Sequence, residues 1–480
     1  MLDLIVEGGT VVDGSGAARV RADVGVAAGR IVSVGLLGNV AARERFDATG
    51  RIVAPGFIDV HTHDDRLLLG TASGPHPKLS QGVTTVITGN CGISLAPLVA
   101  DRTPPAPLDL LGTDMWLFER FGDYLDALES ARPALNVACL VGHSTLRVKH
   151  MADLEREATS AEATRMARDL ADALDAGALG MSTGLYYPPA RAATAAEVIA
   201  VGQALVGIGG VVSMHLRDEA DAIDEAMDEA LLIGRELGVD TVLSHHKLIG
   251  RANHGRSVAT LAAIEKAARM QSVCFDCYPY NASSTMLLAS RVSQSDEVLV
   301  TWSQADPSAA GQSLFALAKE RGCAPEELAR RLAPAGAVYF AMSEEDVSRI
   351  LRHPMGMVGS DGLAHDASPH PRLWGTFPRV LGHYVRERGL LSLEEAVRKM
   401  TGLSAGRFRL AGRGLIRKGH HADMVVFDER SIIDKATFAQ PRRASTGIDA
   451  VFVNGRLACR DGVSVDLHAG KVLRREPAGA

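Results

Sequence analysis

Two histidines, His61 and His63, stand two residues apart at the end of a short apolar run. The run, from Phe57 to Val60, follows a Pro-Gly turn and is typical of a buried strand. Side chains at positions i and i+2 of a strand point the same way, so both imidazoles can reach one metal ion. Because the chain contains 16 histidines, such a pair also arises by accident, and the prediction depends on further ligands.

Further residues of the types that bind zinc stand where four other strand-like runs end. They are Cys91, His215, His245 and Asp361. Each alone has an ordinary explanation, as a small buried thiol, a hydrogen-bonded core histidine or a helix N-cap. Their coincidence at strand ends predicts a metal site. His245 is favoured over His246 because it shares a strand face with Lys247, whereas His246 points toward the helix layer.

Eight apolar runs could form the strands that carry these ligands. They cover residues 57–61, 83–88, 135–141, 178–182, 211–215, 241–245, 273–278 and 355–360. Between them lie amphipathic stretches such as 161–176 and 220–237, whose carboxylates we interpret as solvated surface. The alternation of strands and helices predicts an α/β fold, a TIM-like (β/α)₈ barrel with its chemistry at the C-terminal ends of the strands.

Both ends of the chain differ from the middle, with short β-like runs between glycine turns. We expect residues 1–54 and 415–480 to pair into one small β-sandwich domain, and residues 55–414 to form the metal-dependent barrel. The stretch 281–341 is too long for a barrel loop, so we expect an inserted subdomain near the active-site mouth. We predict two helical stretches within it, at 311–319 and 325–332, and we assign no chemistry to its Cys323 and its charged residues, which show no ligand spacing.

The composition excludes several classes of partner. A formal net charge of −6 over 480 residues gives no basic surface for nucleic acid or an anionic membrane. No apolar run approaches about 18 residues, and no secretion signal opens the chain. The six cysteines are therefore expected as reduced thiols, with Cys274 and Cys277 on opposite faces of one strand. We expect a cytoplasmic protein that acts on a small molecule, without nucleic acid or membrane; its oligomeric state stays open.

These motifs resemble those of the amidohydrolase superfamily. The resemblance rests on Pro-Gly-Phe-Ile-Asp-Val-His-Thr-His at 55–63, the single histidines that end strands five and six, and Ser-Asp-Gly at 360–362. Dihydroorotases and hydantoinases carry a carboxylated lysine at the end of strand four, where residues 179–184 hold no lysine. Instead, Thr-Gly-Asn-Cys-Gly-Ile-Ser at 88–94 resembles the D-aminoacylase branch, the N-acyl-D-amino-acid deacylases. Nearly the whole chain agrees, including the stretches 141–147, 182–189, 244–247 and 370–377.

The resemblance implies zinc-dependent hydrolysis of the amide bond of N-acyl-D-amino acids, giving a D-amino acid and a carboxylate. It implies a tight zinc site at Cys91, His215 and His245, and a second, weak or partly filled site at His61, His63 and Asp361. Asp361 is also the expected general base. The residues implied to bind the substrate are Lys247, Tyr278 and Arg372, which hold its carboxylate, and Ser284, which makes a further contact in the pocket.

Two other functions fit these motifs less well. A cyclic amide hydrolase of the hydantoinase or dihydropyrimidinase kind is disfavoured because a cysteine replaces the bridging lysine and because Arg372 and Lys247 suit a free carboxylate. A catalytically inactive scaffold is disfavoured because all six proposed ligands are present. The preference for the D enantiomer comes from the resemblance alone, and the number of metals stays open. The stretch 284–288 could form an apolar pocket for D-Met or D-Leu derivatives, although ordinary core packing explains it equally well.

Overall fold

The computed structural model describes residues 1–70, 76–101, 103–112 and 115–475. Eight parallel strands form one sheet that curls into a nearly closed barrel, in which each strand lies beside its neighbours in sequence. The strands are Phe57–Asp59, Val83–Thr88, Asn136–Gly142, Gly180–Gly184, Val211–His215, Asp240–Leu243, Val273–Cys277 and Gly356–Val358. The first and the eighth meet at a bridge between Thr62 and Gly362. The predicted (β/α)₈ barrel is confirmed.

The barrel strands are buried on both faces, as expected for a parallel sheet covered by helices. Inward-facing apolar side chains such as Ile58, Leu140 and Val242 form one cluster, which is closed by Phe408 from a C-terminal helical segment. The fourth strand approaches the fifth so closely that a Cβ on Gly180 would lie 1.9 Å from the backbone oxygen of Val211. Glycine is therefore required there for the strands to pair.

Helices cover the outside of the barrel and lead the chain back to each next strand. Ser160–Ala176 shows how the sequence sets their ends. Thr159 and Glu162 form a reciprocal capping box at its start, and Gly177 ends it in the left-handed conformation, with φ 113°. The other helices of seven or more residues outside the insertion are Phe121–Ala131, His143–His150, Ala195–Gly202, Ile223–Leu237, Ser257–Ala267, Glu344–Arg352, Arg372–Arg379, Val380–Glu387 and Leu393–Met400. Among the described residues, no helix combines the length and apolar character needed to cross a membrane.

The two ends of the chain meet in a pair of β-sheets with a shared apolar core. Strand Ile52–Pro55 pairs antiparallel with Met424–Phe427, which joins the N-terminal part to the C-terminal part. One sheet contains Leu2–Glu7, Asp23–Ala27, Arg30–Gly35 and Ala42–Asp47; the other adds Thr10–Val11, Val20–Arg21, Ile448–Val453, Arg456–Arg460 and Val463–Ser464. The small β-sandwich is thus confirmed. The exact boundaries stay a prediction, and residues 476–480 of the predicted range lie outside the described residues.

The inserted subdomain is a three-stranded antiparallel sheet covered by helices, with an apolar core of its own. Its strands are Ser283–Met286, Glu297–Ser303 and Ala335–Phe340, and its helices are Ala289–Val292, Leu314–Glu320 and Pro325–Leu332. The sequence predicts the two longer helices but none of the strands. The first strand is missed because three of its four residues are hydroxyl-bearing, so that it lacks an apolar alternation. The limits 281–341 stay a prediction.

Candidate active site

Six side chains of metal-binding type converge at the C-terminal face of the barrel. They fall into two groups of ligand atoms, each within 4.8 Å, and the two groups share Cys91. The first group is His61, His63, Cys91 and Asp361; the second is Cys91, His215 and His245. All six residues are buried, and none is more than 7 % exposed as a whole residue. All the metal ligands suggested by the sequence therefore lie together.

The spacing of the ligand atoms suits a metal ion. The thiol sulfur of Cys91 lies 3.2 Å from Nε2 of His61 and 3.2 Å from Nε2 of His245. Oδ1 of Asp361 lies 3.3 Å from Nε2 of His63. A tetrahedral zinc ion with bonds of 2.0–2.3 Å separates its ligand atoms by about 3.5 Å. A thiolate combined with imidazoles and a carboxylate is also the donor set that zinc takes.

His215 gives an independent sign of a ligand role. Both nitrogens of its ring are buried and have no hydrogen-bond partner, and Nδ1 of His63 is in the same condition. A buried polar atom without a partner costs about 1–3 kcal/mol, so native proteins rarely leave one. Coordination would use one nitrogen of the His215 ring. The residues present therefore fit a metal ion.

Three ligands sit on backbone that residues other than glycine rarely adopt. Cys91, His245 and Asp361 have φ angles of 54°, 36° and 51°. Such left-handed conformations cost about 1–3 kcal/mol each and persist where the surrounding structure holds them. The amide of Asp361 donates to the His61 carbonyl at 2.8 Å, and the amide of His245 donates to a carboxylate oxygen of Asp276 at 3.0 Å. These bonds fix the strained residues to the neighbouring strands.

The electrostatics of the site favour the thiolate form of Cys91. Burial alone would raise the pKa of this thiol, but the imidazoles of His61 and His245 beside it hold the pKa well below its usual value. Asp361 behaves in the same way: burial opposes ionisation, whereas Arg372 and His63 hold its pKa well below the usual range. Both groups can therefore act as anionic ligands at neutral pH.

Asp276 is a supporting residue that the sequence analysis missed. Its Oδ2 lies 3.3 Å from Nδ1 of His61, the ring nitrogen that faces away from Cys91. A carboxylate in this position fixes the tautomer and orientation of a metal-binding histidine. The available signal was a charged residue in the apolar strand Val273–Cys277, two positions before Tyr278 and therefore on the same face.

The residues implied to bind the substrate surround the same site. Arg372 is buried, with Nη1 2.9 Å from Oδ2 of Asp361 and Nη2 donating to the Ser284 carbonyl at 3.1 Å. Its guanidinium stacks on Tyr278 at 4.6 Å from the ring centroid, and the Nζ atom of Lys247 lies 5.7 Å from the same centroid. Nε of Arg372 and the hydroxyl of Ser284 are buried without a hydrogen-bond partner. Two unused hydrogen-bonding groups therefore lie among the residues implied to bind the substrate.

A cavity lined by Lys247, Tyr278 and Ser284 opens onto the ligand cluster. Its apolar wall is formed by Ile93, Pro107, Leu110 and Leu363. Of the two explanations of the stretch 284–288, core packing applies to Leu287, which packs into the core of the insertion, whereas Ser284 and Thr285 line the cavity with polar side chains.

His246 and the two paired cysteines lie as the sequence suggests. Nε2 of His246 lies 2.9 Å from the hydroxyl of Thr260, on a helix outside the barrel, so this ring is turned away from the ligand cluster. Cys274 packs in the interior cluster and Cys277 in the outer one, and all six cysteines of the chain are free thiols.

Two charged residues of the cavity were not recognised in the sequence. Glu219, four residues after His215, and Arg291, in the insertion, both line the cavity and are buried. Glu219 stands in an Arg-Asp-Glu cluster at a strand end, and nothing in its local sequence separates it from a solvated acid. Arg291 lies in the insertion, whose charged residues show no ligand spacing in the sequence.

Comparison with known proteins identifies the family. The model of the amidohydrolase family matches residues 44–458. This chain belongs to the amidohydrolase family. It is 52% identical to D-aminoacylase of Alcaligenes xylosoxydans xylosoxydans over 99% of this chain and 98% of that protein. It is also 52% identical to the N-acyl-D-aspartate deacylase of the same organism, over 95% of this chain and 91% of the relative. The predicted membership of the D-aminoacylase branch is confirmed.

Solved structures agree with this assignment. Two structures of D-aminoacylase match with a TM-score of 0.96 and 52% identity, and the matches cover 99% of this chain and 100% of theirs. One of the two addresses the functional role of the binuclear metal centre in D-aminoacylase, with one-metal activation and second-metal attenuation. N-acyl-D-glutamate deacylase from Bordetella bronchiseptica, complexed with zinc and a phosphonate mimic of the tetrahedral intermediate, matches with a TM-score of 0.94 and 47% identity over 98% of this chain and 99% of that one. L-hydantoinase from Arthrobacter aurescens, at 16% identity and a TM-score of 0.62, shares the fold.

Proposed function

We propose that this protein is a zinc-dependent hydrolase that cleaves the amide bond of N-acyl-D-amino acids to a D-amino acid and a carboxylate. The observation that carries the proposal is one buried site that combines a cysteine-centred ligand cluster with the unused Nε donor of Arg372. The first feature suits a zinc ion, and the second suits the free carboxylate of an acyl amino acid. The D-aminoacylase and the two deacylases compared above support the same activity.

We assign the tight zinc site to Cys91, His215 and His245. The second, weaker site is assigned to His61, His63 and Asp361, with Cys91 between the two. The shared position of Cys91 in both groups of ligand atoms and the unpartnered ring of His215 support this division. A binuclear centre with one activating and one attenuating metal has been described for D-aminoacylase.

The proposed reaction uses Asp361 as the general base. Bound zinc supplies Lewis acidity for the acyl carbonyl and for the attacking water. Asp361 takes the proton of the water and returns it to the leaving amine, a role worth about 10²–10⁴-fold in rate. Its Oδ1 faces the ligand cluster, while its Oδ2 contacts Arg372, so the carboxylate lies between the metal ligands and the proposed anchor of the substrate.

The substrate carboxylate is assigned to Arg372 and Lys247, with Tyr278 beneath them and Ser284 at the side. A guanidinium can bind a carboxylate through two parallel N–H bonds, and Nε of Arg372 has no other acceptor. The apolar wall of the cavity supports an apolar amino-acid side chain such as that of methionine.

The direct test is amine release from N-acetyl-D-methionine and its L enantiomer, measured side by side on purified protein with added zinc. We expect turnover of the D form and little of the L form. N-acetyl-D-aspartate, N-acetyl-D-glutamate and hydantoin serve as further substrates in the same assay. Turnover of hydantoin without turnover of any N-acyl-D-amino acid would overturn the proposal.

The role of Asp361 has a separate test. Asp361→Ala should keep zinc at the tight site, which is built from other residues, while turnover falls about 10²–10⁴-fold. Metal analysis of the purified variant distinguishes loss of the base from loss of zinc. A variant that keeps more than about a tenth of the wild-type rate would show that Asp361 is not the base.

A further inference from the structure

Glu219 is a buried carboxylate at the centre of the site that the proposed reaction does not use. It follows the fifth barrel strand, and its side chain is 2% exposed. The backbone carbonyl of Glu219 accepts from the amide of Ile249 at 2.8 Å, which ties this loop to the one after the sixth strand. Its carboxylate therefore has a fixed position between two strand ends.

Both oxygens of Glu219 face groups of the site. Oε1 lies 3.0 Å from Nδ1 of His245 and 2.5 Å from Nζ of Lys247. Oε2 lies 4.0 Å from Nε2 of His215 and 3.8 Å from a guanidinium nitrogen of Arg291. One carboxylate thus contacts a ring of the proposed tight zinc site and the proposed substrate anchor, and lies close to the second ring.

The position of the His245 ring bears on which of its nitrogens would carry the proton when a metal is bound. Nε2 of this ring faces the Cys91 sulfur at 3.2 Å, so a metal ion shared with Cys91 would take Nε2 and leave the proton on Nδ1. The ammonium of Lys247 lies only 2.7 Å from the same Nδ1. Two N–H donors this close repel each other unless an acceptor lies between them, and Glu219 accepts from both.

We propose that Glu219 is a positioning residue of the metal centre: it holds the Nδ1 proton of His245 and neutralises Lys247, so that a cation can bind beside the ammonium. The inference rests on the proposed zinc site. Without the carboxylate, the positive charge of Lys247 would lie uncompensated beside the His245 ring. It would repel a metal cation bound to that ring, and metal affinity would fall. In this role Glu219 acts through His245 and Lys247, without touching the reacting atoms.

The test measures zinc affinity by competition with a chelator, independently of turnover. Glu219→Gln keeps the size of the side chain and removes its charge; we expect zinc to bind about 10- to 100-fold more weakly. Lys247→Met should bind zinc at least as tightly as wild type. The double variant Glu219→Gln/Lys247→Met should regain most of the lost affinity, because the uncompensated ammonium is gone. Glu197→Gln, a buried carboxylate away from the ligands, is the matched control and should bind zinc as wild type does.

The outcomes separate this inference from the proposed function. Wild-type protein that binds no zinc overturns the metal site itself, and this inference with it. Wild-type binding with unchanged affinity in Glu219→Gln overturns the role of Glu219 alone. Equal losses of zinc affinity in Glu219→Gln and in the double variant also overturn the role of Glu219. They would show that the substitution weakens binding by disturbing the fold and not through the charge of Lys247. If Glu219→Gln does not fold, Glu219→Asp, which retracts the charge by one methylene, should bind zinc more weakly than wild type; unchanged affinity there refutes the inference.

Discussion

Replacing Arg372 with methionine would decide whether its guanidinium binds the substrate carboxylate or acts through Asp361. The side chain is 1% exposed, its Nη1 is 2.9 Å from Asp361, and its Nε has no partner. A substrate carboxylate that takes two of its N–H groups gains about 1.5–3 kcal/mol from each charge-assisted bond, or roughly 3–6 kcal/mol for the pair. Arg372→Met should therefore lower kcat/KM for N-acetyl-D-methionine by about 10²–10⁴-fold.

The control for Arg372 is a substrate that lacks the carboxylate. N-acetyl-3-(methylthio)propylamine carries the same amide and side chain, so Arg372→Met should change its kcat/KM by far less than that of the acid. Arg372→Lys, which keeps the charge but loses the planar fork, should fall between wild type and Arg372→Met on the acid. An equal loss on both substrates would refute the reasoning, because Arg372 would then act through Asp361.

Two further predictions concern stability. Burial favours the neutral form of Glu197, but His143 and Arg147 beside it lower its pKa to about 2. Because this lies below the unfolded value of about 4.3, the stability contributed by Glu197 is present above about pH 5 and is lost as the pH falls toward 2. Glu197→Gln should lower stability at pH 7 and flatten that acid dependence in denaturant titrations; an unchanged profile would contradict the assignment. Gly180→Ala should lower the free energy of unfolding by about 3 kcal/mol, because the added Cβ would meet backbone rather than a flexible side chain. Gly406→Ala, where the added Cβ meets nothing, is the control, and equal unfolding midpoints for the two variants would contradict the packing argument.

The sequence predicts the candidate metal ligands because they follow recognisable apolar strands. His61 and His63 stand two residues apart just after the first barrel strand, Phe57–Asp59, and the other ligands follow apolar runs whose C-terminal ends must meet in a barrel. Glu219 and Asp276 could not be assigned in this way. Their roles depend on neighbours distant in sequence, and an acid near a strand end has the same local pattern whether it is solvated or contacts a buried histidine.

Three of the proposed ligands have backbone conformations that cost free energy on folding, so the surrounding structure must hold them in place. Cys91, His245 and Asp361 all have left-handed φ angles, each worth about 1–3 kcal/mol against folding. The loop of Asp361 is held by a buried ion pair: Nζ of Lys78 contacts Asp59 at 2.8 Å and the hydroxyl of Ser360 at 2.7 Å. Because only a β-carbon makes the left-handed conformation costly, glycine at position 361 should leave a more stable protein than alanine there. The same substitution would remove a proposed ligand and the proposed base, so the proposed chemistry, which requires a carboxylate, accounts for the strain at this position.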